Sequence, residues 1–226
     1  MYIKLIVMLT QNDRTVKNAC EIFEQCKDSK AKFWGLKEEG LPFEKMKSLF
    51  AYMKRCGKST VLEVVSYTEE KCMQGAKMAL ECGCDILMGT LFFDSVNEFC
   101  KTNRLKYMPF IGKTTCRPSV LEGTVPEMIN EANALLEKGV CGFDLLGYRY
   151  TGNAAVLIRK FVSQINAPTC IAGDIDSFER LNEVKSCGAW AFTVGSAFFD
   201  GKFGGTFNEQ IDKVCDYINE KELLYV

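Results

Sequence analysis

Short apolar segments alternate with helical patterns along the chain, and this alternation constrains the fold more than any other feature. Eight segments are apolar on both faces, as the strands of a buried parallel sheet are. They are Tyr2–Leu9, Lys32–Leu36, Thr60–Ser66, Asp85–Gly89, Lys106–Ile111, Gly142–Leu146, Thr169–Ala172 and Ala189–Val194. Eight strand–helix units in 226 residues, with no long linker, predict one (β/α)₈ barrel domain over residues 1–226. An open doubly wound sheet is the alternative, but no G-x-G-x-x-G motif follows the first strand.

The composition limits the partners of the chain. A net charge of -1 gives no electrostatic basis for binding nucleic acid or a membrane surface. No apolar run approaches the roughly 18 residues that suggest a membrane span. The 12 cysteines occur without an export signal, which predicts reduced thiols and a cytoplasmic protein. The oligomeric state is left open, with a homodimer as one option.

The chain contains no histidine, and this limits its chemistry. Ser-His and Cys-His nucleophile pairs cannot form within one chain, and neither can a metal site built on histidines. Acid–base work therefore falls to Asp, Glu, Lys, Cys, Tyr or a substrate group.

Two strands near the C-terminus each end at a glycine and precede a helical pattern. Gly173-Asp174 follows strand 7, and Gly195-Ser196 follows strand 8. Glycine lets backbone N–H groups approach an anion closely, and a helix N-terminus adds a positive dipole. In (β/α)₈ barrels a phosphate often binds at the loops after strands 7 and 8. The four residues therefore predict a phosphate site, and tight turns without a ligand are the alternative.

Charged residues at or near the ends of other strands are candidates for catalysis. Glu63 interrupts an apolar strand, so its carboxylate is either paired with a lysine of a neighbouring strand or catalytic. Lys37 follows strand 2, and Asp144 lies within strand 6. Lys113 follows strand 5 and a glycine, where it could pair a phosphate, polarise a carbonyl, form a Schiff base or lie on the surface.

Other polar residues at strand ends are candidates for substrate binding. Gln11 follows strand 1, Thr90 follows strand 4, and Arg149 lies in the loop after strand 6. That loop, residues 147–152, is interpreted either as a mobile cover or as a plain surface loop. Asp13 is interpreted as part of the N-terminal cap of the first helix.

The segments at residues 171–181 and 191–203, IAGDIDSFERL and AFTVGSAFFDGKF, resemble the ribulose-phosphate-binding barrel superfamily. Their sequences are similar to those of the phosphate loops of the phosphoribosyl isomerases of histidine biosynthesis. The resemblance implies that Gly173, Asp174, Gly195 and Ser196 line a phosphate pocket.

A fainter resemblance is to the N-acylmannosamine-6-phosphate 2-epimerases. Gln11 after strand 1, Asp144-Leu-Leu-Gly, and Tyr150-Thr151 are similar to their pattern. Their strand-3 lysine is absent, because Leu62-Glu63-Val64 stands in that region.

These observations predict an isomerase, epimerase or lyase that acts on a phosphorylated sugar or a similar phosphometabolite. Glu63 or Asp144 would remove a proton next to a carbonyl, and Lys113 or Lys37 would stabilise the enolate oxygen. A Schiff-base aldolase through Lys113 is the main variant. A non-catalytic barrel that senses a phosphometabolite, or a synthase with a second, larger substrate, are the alternatives. No cofactor is expected, although carboxylates such as Asp144 or Asp174 would suit Mg²⁺.

Overall fold

The computed structural model describes residues 3–219 of the chain. Its main sheet has eight strands, all parallel to their neighbours. They are β1 Lys4–Met8, β2 Phe33–Lys37, β3 Ser59–Val64, β4 Ile86–Gly89, β5 Lys106–Met108, β6 Phe143–Leu145, β7 Thr169–Ile171 and β8 Ala191–Val194. Their order is β6-β7-β8-β1-β2-β3-β4-β5, and a bridge between Phe110 and Asp144 brings the two edges together. The predicted (β/α)₈ barrel is confirmed.

Helices surround this barrel and connect its strands. They are α1 Ala19–Cys26, α2 Phe43–Arg55, α3 Glu69–Glu81, α4 Asp94–Thr102, α5 Val125–Glu137, α6 Ala154–Gln164, α7 Phe178–Cys187, the short α8 Ser196–Phe199 and α9 Phe207–Asn219. Within residues 3–219, no helix combines the length and the apolar character needed to cross a bilayer. The predicted first strand begins at Tyr2, and this residue lies outside the described part of the chain.

Two loops at the carboxyl end of the barrel differ from the prediction. Strand β5 ends at Met108, and the chain then forms an antiparallel hairpin from Lys113–Thr115 and Val120–Glu122, here called the mouth hairpin (residues 113–122). The predicted first helix begins only at Ala19, because the residues before it pair as two short antiparallel strands. Strands of two or three residues are too short to give a periodic pattern in the sequence.

The barrel interior is apolar in one part and charged in another. Its apolar cluster contains Ile6, Met8, Val61, Ile86, Met88, Met108, Cys170 and Ala191. Lys37 on β2 and Glu63 on β3 are register partners, so their side chains lie on the same face of the sheet. Both are buried, as is Asp144 on β6. Burying three ionisable groups is costly unless they compensate one another, which marks this region as the place to look for function.

Candidate active site

A cavity of about 190 Å³ opens at the carboxyl ends of the strands. Its lining includes Lys37 and Glu63 together with the turns after β7 and β8. The remaining lining residues include small or hydroxyl-bearing ones, which are Thr10, Ser119, Ala172, Thr193 and Ala197, together with larger apolar and charged ones. The volume is below the roughly 300–1,000 Å³ of sites for drug-sized ligands, so the cavity suits a small metabolite.

Lys37 lies between two carboxylates. Its ammonium group donates a hydrogen bond to Asp13 Oδ1 and lies 3.1 Å from Glu63 Oε1. Burial alone would lower the pKa of Lys37, but the negative charges of Glu63 and Asp13 outweigh it, and the pKa is raised. Lys37 therefore carries its proton at neutral pH. The predicted ion pair between Glu63 and a lysine of the neighbouring strand is confirmed, and the pair lines the cavity.

Asp144 lies beside this pair and is sealed from solvent. Its relative exposure is 0%, and neither carboxyl oxygen has a hydrogen-bond partner among residues 3–219. Burial raises the pKa of Asp144 well above its usual value, and the charge of Glu63 raises it further, while Lys37 acts in the opposite direction. Next to it on β7, Cys170 has a pKa raised by burial and by both carboxyl groups. The interior thus holds a carboxyl group that favours its neutral form next to one that pairs with Lys37.

Asp13 is a site residue that the sequence reasoning missed. It does not cap the first helix, which begins six positions later at Ala19. Its backbone has φ 63° between the two short antiparallel strands, and this turn directs the carboxylate to Lys37. The other oxygen of Asp13 lies 3.1 Å from Nε of Arg117, at the turn of the mouth hairpin. The pair Asn12-Asp13 was the available signal in the sequence, because Asn and Asp tolerate a positive φ and therefore indicate a tight turn. Both residue types also cap helices, and the sequence alone does not separate the two roles.

The turns after β7 and β8 lie side by side, since these strands are neighbours in the barrel. Gly173, Asp174, Gly195 and Ser196 all line the cavity. Within residues 3–219, the backbone N–H groups of Gly173, Asp174, Ser196 and Ala197 donate to no acceptor. Ala197 is buried and Gly173 half-buried, where an N–H group is normally paired, whereas Asp174 and Ser196 are exposed. Free N–H donors grouped at two neighbouring turns can receive an anion.

Arg149 contributes positive charge at the same rim. Its guanidinium donates to Asp174 Oδ1 at 3.0 Å, and the residue lines the cavity. Gly173 has φ 89°, and a Cβ there would lie 2.6 Å from Cγ of Arg149, so glycine is required by both conformation and space. The carboxylate of Asp174 would repel an anion, so its useful donor is the backbone N–H.

Three other predicted site residues do not line the cavity. Of the alternatives predicted for Lys113, the structure favours the surface position: it lies on the first strand of the mouth hairpin, where its side chain is 71% exposed and pairs with Glu122 at 3.3 Å. Gln11 donates to Asp200 at 3.3 Å beside the cavity. Thr90 is fully buried, and its hydroxyl bonds Tyr107 at 2.7 Å. Thr90 therefore belongs to the packing around β4.

A ligand set for a metal ion was sought among the acidic and cysteine side chains. Within the described residues, no group of three or more such side chains is arranged to hold one. Asp144 is sealed from the cavity, and Asp174 is held by Arg149.

Several solved structures share this barrel architecture. Orotidine 5'-phosphate decarboxylase from Pyrococcus horikoshii OT3 is similar with a TM-score of 0.70 and 12% identity, over 96% of this chain and 100% of that chain. The N-acetylmannosamine-6-phosphate 2-epimerase from Clostridium perfringens is similar with a TM-score of 0.64 and 16% identity, over 95% and 93% of the two chains.

A regulatory protein is also among the similar structures. The glycerol uptake operon antiterminator regulatory protein from Listeria monocytogenes has a TM-score of 0.58 and 17% identity, over 85% of this chain and 91% of that one. No protein-family model matches the chain, and no curated sequence matches it. The similarities confirm the predicted resemblance to ribulose-phosphate-binding barrels at the level of the fold.

Proposed function

We propose that this protein is an isomerase or epimerase that transfers a proton on a phosphorylated small molecule. The observation that carries the proposal is a buried, protonated Lys37 paired with Glu63 in a cavity whose rim offers free backbone N–H donors. One end of the cavity suits proton transfer, and the other suits an anionic head group. Similar barrels include enzymes of phosphometabolite chemistry, which agrees with this reading.

Lys37 and Glu63 form the reacting end of the cavity, where the proton would be transferred. The carboxylate of Glu63 lines the cavity and would remove a proton next to a substrate carbonyl. The ammonium of Lys37, 3.1 Å from it, would stabilise the negative oxygen of the enolate that forms. Asp144 does not reach the cavity, so it would act through Glu63 by keeping a neutral carboxyl beside it. Only the cavity-facing pair would touch the substrate.

Proton transfer is favoured over Schiff-base chemistry. A lysine attacks a carbonyl as the free amine, and lysines that do so generally have a lowered pKa. The pKa of Lys37 is instead raised by Glu63 and Asp13, against the effect of burial. Lys113, the predicted Schiff-base lysine, is exposed and outside the cavity. The aldolase variant therefore has no suitable amine among the predicted lysines.

The phosphate end would be bound by backbone rather than by side chains. The amides after β7 and β8 would donate to the phosphate oxygens, and Arg149 would add a positive charge at the rim. Binding energy from this non-reacting group can hold the reactive carbons against Glu63.

Solvent isotope exchange tests the proposal without knowledge of the product. The protein is incubated with a panel of phosphorylated aldoses and ketoses in D₂O, and loss of a C–H signal is followed by ¹H NMR. We expect one substrate to exchange a single carbon-bound proton, and Glu63→Gln to slow this exchange by about 10²–10⁴-fold. Asp176→Asn is the matched control, because Asp176 also lines the cavity but lies on the phosphate side. Undiminished exchange in Glu63→Gln would contradict the role of Glu63.

A phosphometabolite sensor is the second candidate. The observation that favours it is that Asp13 and Glu63 both pair with the ammonium of Lys37, so that its positive charge is neutralised. An ion-pair network of this kind stabilises a fold without taking part in catalysis. A ligand that stabilises the protein in a thermal-shift screen, but exchanges no proton, would favour the sensor. At about 100 times its dissociation constant such a ligand adds about 2.7 kcal/mol to the free energy of unfolding.

A further inference from the structure

The mouth hairpin reaches from β5 to loops on the other side of the barrel. At its turn, the guanidinium of Arg117 donates to the backbone oxygen of Asp13 at 3.0 Å. The same group donates to Glu38 at 3.0 Å and to Glu39 at 3.2 Å, both after β2. Arg117 thus binds the loops after two strands that lie far from its own in the sequence.

The turn of the mouth hairpin is fixed independently by Tyr67, in the loop after β3. The Tyr67 hydroxyl donates to the backbone oxygen of Cys116 at 2.6 Å, and it lies 2.8 Å from the hydroxyl of Ser119. Ser119 itself lines the cavity. Arg117 is therefore held on both sides by anchored neighbours, which limits where its side chain can reach.

One carboxylate connects this turn to the reacting end of the cavity. Asp13 accepts a hydrogen bond from Lys37 through Oδ1, and its Oδ2 lies 3.1 Å from Nε of Arg117. The Asp13 side chain is only 9% exposed, so water contributes little to holding it. The approach of Nε to Oδ2 is an ion pair without hydrogen-bond geometry, so Arg117 holds the Asp13 side chain by charge and the Asp13 backbone by its hydrogen bond to the carbonyl oxygen.

We propose that Arg117 is a positioning residue, which holds the Asp13 carboxylate so that the Lys37 ammonium stays between Asp13 and Glu63. The role of Lys37 rests on the function proposed above, whereas its immobilisation by Arg117 does not. Lysine has a flexible stem and a compact head, so its placement depends on its partners. Without Arg117, the Asp13 carboxylate loses the contact opposite Lys37 and is free to turn toward solvent. The mouth hairpin would then determine whether the reacting end is assembled.

The test follows the side-chain ammonium of Lys37 by ¹H–¹⁵N NMR at mildly acidic pH. A buried lysine ammonium in an ion pair exchanges its protons slowly enough to be observed, and Lys37→Arg assigns its signal. We expect Arg117→Gln to abolish this signal, because the ammonium becomes mobile and exposed. Arg14→Gln is the matched control, since the Arg14 side chain pairs with Glu39 at 2.7 Å and, among the described residues, forms no ion pair with Asp13. The Lys37 ammonium signal in Arg14→Gln should match that of the wild type.

Two further results keep the outcome clear. Asp13→Asn should abolish the Lys37 signal as Arg117→Gln does. Backbone spectra of both variants should stay close to wild type outside the mouth hairpin and the loop that contains Asp13. A persistent Lys37 signal in Arg117→Gln would overturn the proposal, as would its equal loss in Arg14→Gln. Binding of inorganic phosphate, measured by thermal shift, tests the proposed function separately. Its absence in wild type would leave the effect of Arg117 on Lys37 intact.

Discussion

Replacing Asp144 by asparagine is expected to stabilise the protein as the pH rises from acidic to neutral. The carboxyl is 0% exposed, and neither oxygen has a hydrogen-bond partner in the part of the chain that the structure describes. Burial and the charge of Glu63 raise its pKa well above the usual value. Asparagine has the same shape and cannot ionise, so the variant removes the titration and leaves the packing.

The sign of the effect follows from the direction of the shift. A carboxyl whose pKa is raised by folding contributes its stability below the unfolded pKa of about 3.9, and loses it as the pH rises toward the folded pKa. The loss is about 1.4 kcal/mol for each pH unit in this window. Wild type should therefore lose stability relative to Asp144→Asn as the pH rises through this window, for as long as the folded protein keeps the proton.

Urea unfolding at a series of pH values measures this difference. Asp174→Asn is the matched control, because it makes the same change at a side chain that is 55% exposed. The difference between Asp144→Asn and wild type should grow with pH and then level off at the pKa of the folded state. Parallel stability curves for these two proteins would refute the reasoning, because they would show that Asp144 titrates in the folded protein as it does in the unfolded chain.

Three other outcomes are expected. Lys37→Met should lower the free energy of unfolding at neutral pH by about 3–5 kcal/mol in urea titrations, because two buried carboxylates lose their cation; an unchanged value would contradict the ion-pair network. Gly195→Ala should abolish the thermal shift caused by phosphate, since its Cβ would lie 2.7 Å from Oγ1 of Thr10 at the proposed site. Gly147→Ala, which is also crowded but off the cavity, should keep that shift. Borohydride reduction with a carbonyl substrate should leave Lys37 and Lys113 unmodified by mass spectrometry, and an adduct on either would favour the aldolase.

The fold was predictable because its signal is repeated. Each of the eight strands is a short apolar run followed by a helical pattern, and an error at one unit does not change the count. The adjacency of the turns at Gly173 and Gly195 also followed, since strands 7 and 8 must be neighbours in a barrel. The ends of β5 and α1 were missed, because the short antiparallel pairs beside them carry no periodicity.

The candidate site was only partly predictable. Glu63 was identifiable from the sequence, because a carboxylate in an apolar strand must have a partner or a perturbed pKa. That the partner is Lys37 depends on the register between β2 and β3. Lys113 and Arg117 lie on the same hairpin, and the sequence gives no reason to choose one of them over the other as the cation that reaches the site. The turn of the hairpin directs Arg117 inward to Asp13, while Lys113 points to solvent beside Glu122.

The sequence by itself determined the barrel, the end of the barrel that carries the polar residues, and the two glycine turns at its rim. These are local properties, since each follows from the pattern of a few neighbouring residues. Only the tertiary structure decided which charges meet. Asp13 and Arg117 are separated by 104 positions along the chain, and they touch because a hairpin crosses the mouth of the closed barrel. Long-range contacts of this kind depend on the geometry of closure, and no local pattern records them.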